Sequence, residues 1–368
     1  GIDMTEQEFQ STWETVKPRK EYQAVRRKLS AILEKVNTSI DGIERFSFEV
    51  YEKKVSIPKG ETQNIFWHYA QRIEHLQGRG QVSTAEISQL ACNALKRFAK
   101  SDRVTFGNVT PKWLQAFEDD MVKRGRSLTT VGMYLRTLKT IYNDAVASKV
   151  ITDEDYPFGK RKYIIPEGRN IKKALTMEQL RLLMDAKPES LDQEKARDFF
   201  FFSFASNGMN MKDIALLRFS DLETDKFTFV REKTRITKKD SRSAITVYLT
   251  PFQHGVIEKY GAKPDTSTYI FPILKKGTTP EQQRTAVKNF TRFVNQHLKK
   301  LCRKIGLPDV STYWARHSFA SVSFYKKGAN AEFVRESLGH SDLKTTMKYL
   351  AGFDDEAKRE FAIRLMDF

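Results

Sequence analysis

Cysteine is scarce: Cys92 and Cys302 are the only two in 368 residues. Two thiols so far apart offer neither a disulfide framework nor a zinc-ligand spacing, and a reducing cytosol is their expected setting. Metal-ligand patterns are equally absent, since His68, His75, His254 and His297 share no ligating spacing. No metal is therefore expected. Long apolar runs are missing as well. The greasiest stretch, Phe199–Phe202, is a buried-helix signal, far too short to span a bilayer. There is no charged-then-apolar leader with a cleavage site, and no membrane partner is expected. No Walker-type phosphate loop is present, so chemistry without ATP or any other cofactor is expected. Acidic residues are in deficit, 46 against 63 lysines and arginines, for a net charge of +17. That excess favours a polyanion, most commonly nucleic acid, over a merely solvated basic surface. With 40% hydrophobic residues, the chain can build a real core.

Hydrophobic periodicity divides what is there. Residues 1–55 read as helical and charged. Thr5 and Glu8 have capping-box spacing, and Tyr22, Val25, Leu29, Ile32, Leu33, Val36 and Ile40 recur at helical spacing. Residues 61–150 read as about four helices, one opening at Thr110-Pro111 and one near Ser127. The last of them shows Arg136, Lys139 and Asn143 on its polar side, a stripe suited to DNA backbone or simply to water. Residues 151–173 lack periodicity. They carry Pro157, Gly159, Pro166 and Gly168 among Lys160, Arg161, Lys162, Arg169, Lys172 and Lys173. This reads as a basic linker, either lying along a duplex or serving as a soluble tether.

Residues 174–368 form the largest unit. Thr176 and Gln179 open a helix, and a very apolar helix runs from about Asp192 to a stop at Asn207-Gly208. A hairpin is predicted from Lys226–Lys233 and Ser243–Thr250. Further helices are predicted from Thr279-Pro280, from Ser311 or Thr312 to Gly328, and beyond Gly352.

The chemistry-bearing stretch is Ser311-Thr-Tyr-Trp-Ala-Arg316-His317-Ser-Phe-Ala. It is followed by Leu338-Gly339-His340-Ser341, Thr345-Thr346 and Tyr349. It resembles the C-terminal signature of the tyrosine recombinases, the lambda-type integrases, in which a tyrosine follows the leucine-glycine-histidine box by nine residues. His340 and Tyr349 keep that register. The resemblance implies a mainly α fold with a small β-hairpin in the catalytic domain. It divides the chain into an arm-type DNA-binding remnant (1–55), a helical, SAM-like core-binding domain (61–150), a linker (151–173) and an α+β catalytic domain (174–368). It also implies double-stranded DNA as partner, synapsis by four protomers, accessory DNA-bending proteins, and a bacterial, DNA-associated setting such as a mobile element.

Under that resemblance Tyr349 is the nucleophile that becomes a 3′-phosphotyrosine, a link that conserves bond energy. Arg316 neutralises the phosphate with its planar fork. His340 donates to the phosphate or helps deprotonate the tyrosine. Lys233 protonates the leaving 5′-oxygen, with Lys238 and Lys239 in reserve.

Two positions depart from the pattern. Asn210 stands where the first catalytic arginine belongs, although the acidic residue three positions on is kept as Asp213. Tyr313 replaces the first histidine of the histidine-x-x-arginine box; its hydroxyl can donate to a phosphate oxygen but does not titrate near neutrality. Arg231 is the candidate for the missing charge, because residues two apart on a strand share a face and Lys233 is already assigned; Arg235 is the reserve. Asp213 is expected to hold an arginine, and His317 to pack behind the site. Two rival functions stay open: a non-catalytic DNA-binding regulator using a helix-turn-helix over Ala331–Leu350, and a type IB topoisomerase.

Overall fold

The computed structural model describes residues 2–40, 47–48, 61–168, 173–233, 244–264, 267–350, 359 and 362–363. The chain divides into two compact units, one of Gly1–His75 and Ala85–Glu167, the other of Leu76–Thr84 and Gly168–Phe368. Predicted features at Arg169, Lys172, Arg235, Lys238 and Lys239, and nearly all of the tail after Leu350, lie outside the described residues.

The first unit opens with α1 (Glu6–Phe9), where Thr5 and Glu8 close a reciprocal cap, and continues into α2 (Lys20–Ile40). Ile32 and Leu33 on α2 are exposed. Its bundle consists of α3 (Ile65–Gly78), α4 (Val82–Ala99), α5 (Pro111–Lys123) and α6 (Leu128–Ala147). Thr110 and Ser127 start α5 and α6 by accepting the amides of Trp113 and Thr130, satisfying donors that a bare helix end leaves orphaned. Apolar residues three and four apart then face inward. Tyr69, Leu95, Leu114, Phe117, Leu135 and Leu138 form one buried cluster.

The segment after α6 is not a tether throughout. Ile151, Phe158 and Tyr163 are buried in that same cluster. Their spacing has no helical period because they lie outside any α-helix, Phe158 and Tyr163 pairing in an isolated bridge, which is why a periodicity search reads this stretch as linker.

In the second unit α7 (Met177–Met184) precedes α8 (Leu191–Ala205), the central helix. Phe199, Phe200, Phe201 and Phe202 are buried on every side of it, so the C-terminal half of α8 lacks a polar face. It ends at Asn207 and Gly208, both with positive φ, and α9 (Met211–Leu216) follows. Strands β1 (Lys226–Phe229) and β2 (Ile245–Tyr248) pair antiparallel, with Phe227 opposite Val247 and Phe229 opposite Ile245. Then come α10 (Pro251–Tyr260), α11 (Pro280–Lys304), α12 (Thr312–Lys326), α13 (Ala331–Ser337) and α14 (Leu343–Met347). The core joins α8 to α11, α12 and the sheet through Phe199, Phe202, Phe227, Phe271, Val294 and Leu298. A smaller cluster of Ala320, Val334, Leu338 and Leu350 seats the α13–α14 segment on α12, with Tyr349 against it. No helix of the described residues is long and apolar enough to cross a membrane.

Candidate active site

Helix α12 supplies three members of one cluster. Tyr313, Arg316 and His317 stand three and four residues apart and so share a helix face. Arg316 is 2% exposed. Its guanidinium donates to the Gly208 carbonyl at 3.0 Å, to the Leu338 carbonyl, and to Nε2 of His340 at 3.1 Å. Such close seating needs glycine at the α8–α9 corner. Gly208 has φ +66°, and a Cβ there would come within 2.6 Å of Arg316 Cα.

The turn after α13 delivers His340. Arg335 donates to the His340 carbonyl at 2.7 Å, pinning the turn. Gly339, with φ +62°, lies where a Cβ would be 2.6 Å from Ile245 and 3.0 Å from Arg231. An arginine can only donate, so His340 Nε2 must accept and Nδ1 must carry the proton. Nδ1 lies 2.9 Å from Thr346 Oγ1, which accepts it. Burial and the neighbouring Arg316 and Arg231 push the His340 pKa down to about 3, so the ring is neutral at neutral pH.

Tyr349 lies between two imidazoles. Its ring centroid is 4.7 Å from that of His317, nearly stacked, and 4.8 Å from that of His340. His317 Nδ1 donates to the Tyr349 carbonyl at 3.1 Å, fixing the backbone as well as the ring. Burial lowers the His317 pKa, so it too stays neutral. The Tyr313 hydroxyl donates to the Tyr349 hydroxyl at 2.9 Å. Burial opposes ionisation of Tyr349, but the Tyr313 hydrogen bond and the charges of Arg316, Lys233 and Arg231 outweigh it and bring the phenol below its ordinary range. Tyr313 moves the other way, raised by burial and by its Tyr349 partner.

Arg231 enters from the end of β1. It is 6% exposed, and its guanidinium donates to the Leu338 carbonyl at 3.0 Å. Asp213 on α9 is buried and accepts the Glu232 amide at 3.0 Å, fixing the chain just past Arg231. Burial raises the Asp213 pKa, with that amide and both arginines opposing. Two like charges held near each other in a desolvated site are costly. Burial and Arg231 accordingly bring the Arg316 pKa down to about 10, still cationic at neutral pH.

Two family profiles match the chain: the phage integrase SAM-like domain over residues 64–164 and the phage integrase family over residues 173–356. The chain belongs to the phage integrase family, and it is a site-specific recombinase. It is 24% identical to a tyrosine recombinase of Thermosipho africanus (strain TCF52B), over 74% of this chain and 93% of that protein. It is also 24% identical to the tyrosine recombinase XerC of Thermodesulfovibrio yellowstonii, over 70% of this chain and 82% of that one. Among solved structures, the Tn1549 transposon integrase in complex with transposon right-end DNA matches with a TM-score of 0.56 at 16% identity, covering 82% of this chain and 99% of that chain. A lambda integrase dimer bound to a core site matches with a TM-score of 0.55 at 14% identity, covering 78% and 97%. These structures share the fold, a helical chain with a small antiparallel sheet.

In this integrase the expected residues are not all placed alike. Arg316, His340, Tyr349, Tyr313, His317 and Arg231 meet in one cluster. Lys233 is exposed at the edge of the described segment, close enough to act on the charges of Tyr349 and His340. The strand argument that paired it with Arg231 does not hold. β1 ends at Phe229, and Arg231 points inward while Lys233 faces solvent. Asn210 stands at the N-terminus of α9, and its side chain makes no capping hydrogen bond. Arg136, Lys139, Lys160 and Arg161 are exposed. Lys162 instead donates to the carbonyls of Asp153, Glu154 and Tyr156, a structural tie. Lys173 is half-buried, and its charge helps to lower the His317 pKa. Sequence reasoning missed two partners. Thr346 accepts from His340 Nδ1, and the Leu338 carbonyl receives both guanidinia. Thr346 was visible in the motif, whereas a backbone acceptor leaves no trace in residue identity.

Proposed function

We propose that this recombinase cuts and rejoins double-stranded DNA through Tyr349. The carrying observation is the Tyr349 hydroxyl, held by Tyr313 beside two buried guanidinia that meet on one carbonyl. A carbonyl is neutral, and the two guanidinia converging on it, with the Asp213 carboxylate acting on both, form a cationic pair that a backbone phosphate would complement. The Tyr349 oxygen attacks phosphorus, the Oη–P bond forms and the P–O5′ bond breaks. Lys233 gives its proton to the departing 5′-oxygen. The phenol's proton leaves to water, since His340 Nε2 already accepts from Arg316 and its Nδ1 is turned to Thr346. A 5′-hydroxyl from a partner strand reverses the step. Arg231 takes over the charge that Asn210 lacks, and Asp213 positions it by holding the Glu232 amide.

The arm-type region over 1–55, the core-binding role of the bundle, and backbone contacts from Arg136, Lys139, Lys160 and Arg161 belong to the same reading. So do assembly of four protomers on DNA, accessory bending proteins, a bacterial mobile element as source, and integration or excision as outcome. The complexes of Tn1549 and lambda integrases with DNA support a DNA partner. A regulator would leave the Tyr349 cluster unexplained, and α14 is only five residues long, short for a recognition helix.

The test is incubation with a nicked suicide duplex carrying the target site. The native protein forms a denaturant-stable covalent adduct. Tyr349→Phe shifts the duplex on a native gel but forms none. An undiminished adduct in that variant overturns the reading.

A further inference from the structure

Where the resemblance expects a histidine that touches phosphate, Tyr313 touches the nucleophile. Its hydroxyl donates to the Tyr349 oxygen at 2.9 Å, with the ring centroids 6.0 Å apart. A tyrosine side chain carries its polar atom farther from the backbone than an imidazole does, which lets a residue one turn before Arg316 span to Tyr349. The direction of the bond matters. Because Tyr313 donates, Tyr349 keeps its own proton free to leave elsewhere, and its oxygen keeps a donor as negative charge develops.

We propose that Tyr313 is the oxyanion partner of the nucleophile: its hydroxyl stabilises the Tyr349 phenolate as the attacking group in cleavage and as the leaving group in religation. This rests on the reading of Tyr349 as nucleophile. In cleavage the Tyr349 proton passes to water, the Oη–P bond forms, the P–O5′ bond breaks, and the 5′-oxygen takes a proton from Lys233. Tyr313 keeps its own proton throughout. In religation the P–Oη bond breaks and the same hydrogen bond receives the returning charge, so one residue lowers both barriers.

The charged and titratable groups around the pair come from several elements. Arg316 and His317 stand on α12, His340 follows α13, and Arg231 and Lys233 follow β1. Neither imidazole competes for the role, because His317 Nδ1 is committed to the Tyr349 carbonyl and His340 Nδ1 to Thr346. Burial and the Tyr349 partner raise the Tyr313 phenol, whereas the Tyr313 hydrogen bond and the nearby cations lower Tyr349 against its burial, so Tyr349 is the phenol that ionises first.

Tyr313 is 43% exposed, so Tyr313→Phe removes the hydroxyl without opening a cavity. The experiment measures adduct formation against pH on a duplex with a 5′-bridging phosphorothiolate. Its thiolate leaves without a proton, so Lys233 drops out of the rate. The native protein sets the reference limb. Tyr313→Phe should bind DNA normally, lose on the order of 10–100-fold in rate near pH 7, and recover as pH rises, its acid limb displaced upward. A fluorinated tyrosine at 313, a stronger donor, should displace the limb downward. A full rate in Tyr313→Phe, or a loss equal at every pH, overturns the proposal. If Tyr349→Phe still forms adduct, the reading of the nucleophile fails instead, which separates the two.

Discussion

Arg231 and Arg316 donate to the same oxygen, the carbonyl of Leu338, although 85 positions separate them in the chain (316 − 231). One arrives just past the end of a strand and the other from the second turn of a helix, and the turn after α13 gives them a common acceptor. The carbonyl's lone pairs can be shared, but they do not neutralise two positive charges. Buried Asp213 is the carboxylate that acts on both guanidinia, and this relationship underlies the first prediction.

Arg231→Ala should lower adduct formation by about 100–1,000-fold with DNA binding retained, the range for losing one preorganised donor to a transition-state oxyanion. Arg231→Lys should restore only part of that, since a point charge lacks the planar fork. Adding Asn210→Arg to Arg231→Ala should recover part of the lost rate by returning charge from the other side. A full rate in Arg231→Ala rules out its catalytic role.

His317→Phe keeps an aromatic ring against Tyr349 but removes the donor to its carbonyl. One net hydrogen bond is worth about 0.5–1.5 kcal/mol. The adduct rate should fall by roughly 2–10-fold, with no displacement of the pH profile. His317→Ala removes the ring as well and should cost more. Burst kinetics on the suicide duplex separate the two.

Gly208→Ala should destabilise the fold and disable catalysis together. Its φ of +66° strains any side chain, and the added Cβ meets backbone of α12 rather than a flexible tip. Overpacking of this kind costs about 1–3 kcal/mol. Gly78→Ala, with open space around its Cβ position, is the control. Urea midpoints compare them; equal midpoints would contradict the close approach.

His340 links pH to stability. Its folded pKa is about 3 against an ordinary 6.5, so between those values the unfolded chain binds the extra proton. Stability should be full above pH 6.5 and fall as pH drops toward 3. His317, also lowered by burial, adds in the same direction. His340→Gln should flatten the slope of the urea midpoint between about pH 7 and pH 5. An unchanged slope would mean that the ring is not held neutral by the fold.

Much of this protein is legible in its residues. Thr110-Pro111, Ser127 and Thr176 announce helix starts that the structure keeps, because a cap involves only one side chain and the amides just after it. The register of His340 and Tyr349 names the chemistry, because several rare residue types seldom fall at fixed spacing by chance. The stretch 151–164 escapes such reading, since residues buried outside any α-helix leave no period to detect. Lys226–Lys233 reads as an unbroken strand because propensity cannot see Asp213 waiting to accept the Glu232 amide.

Sequence by itself determined the caps, the apolar faces, the family and the identity of the groups around Tyr349. Tertiary structure alone decided that Arg231 turns inward while Lys233 stays out, that Tyr313 reaches a tyrosine, and that Arg316 fixes the tautomer of His340. The first set depends on neighbours within a few residues along the chain. The second depends on which backbone carbonyls and hydroxyls distant segments present to one another, a matter of packing that residue order does not encode locally.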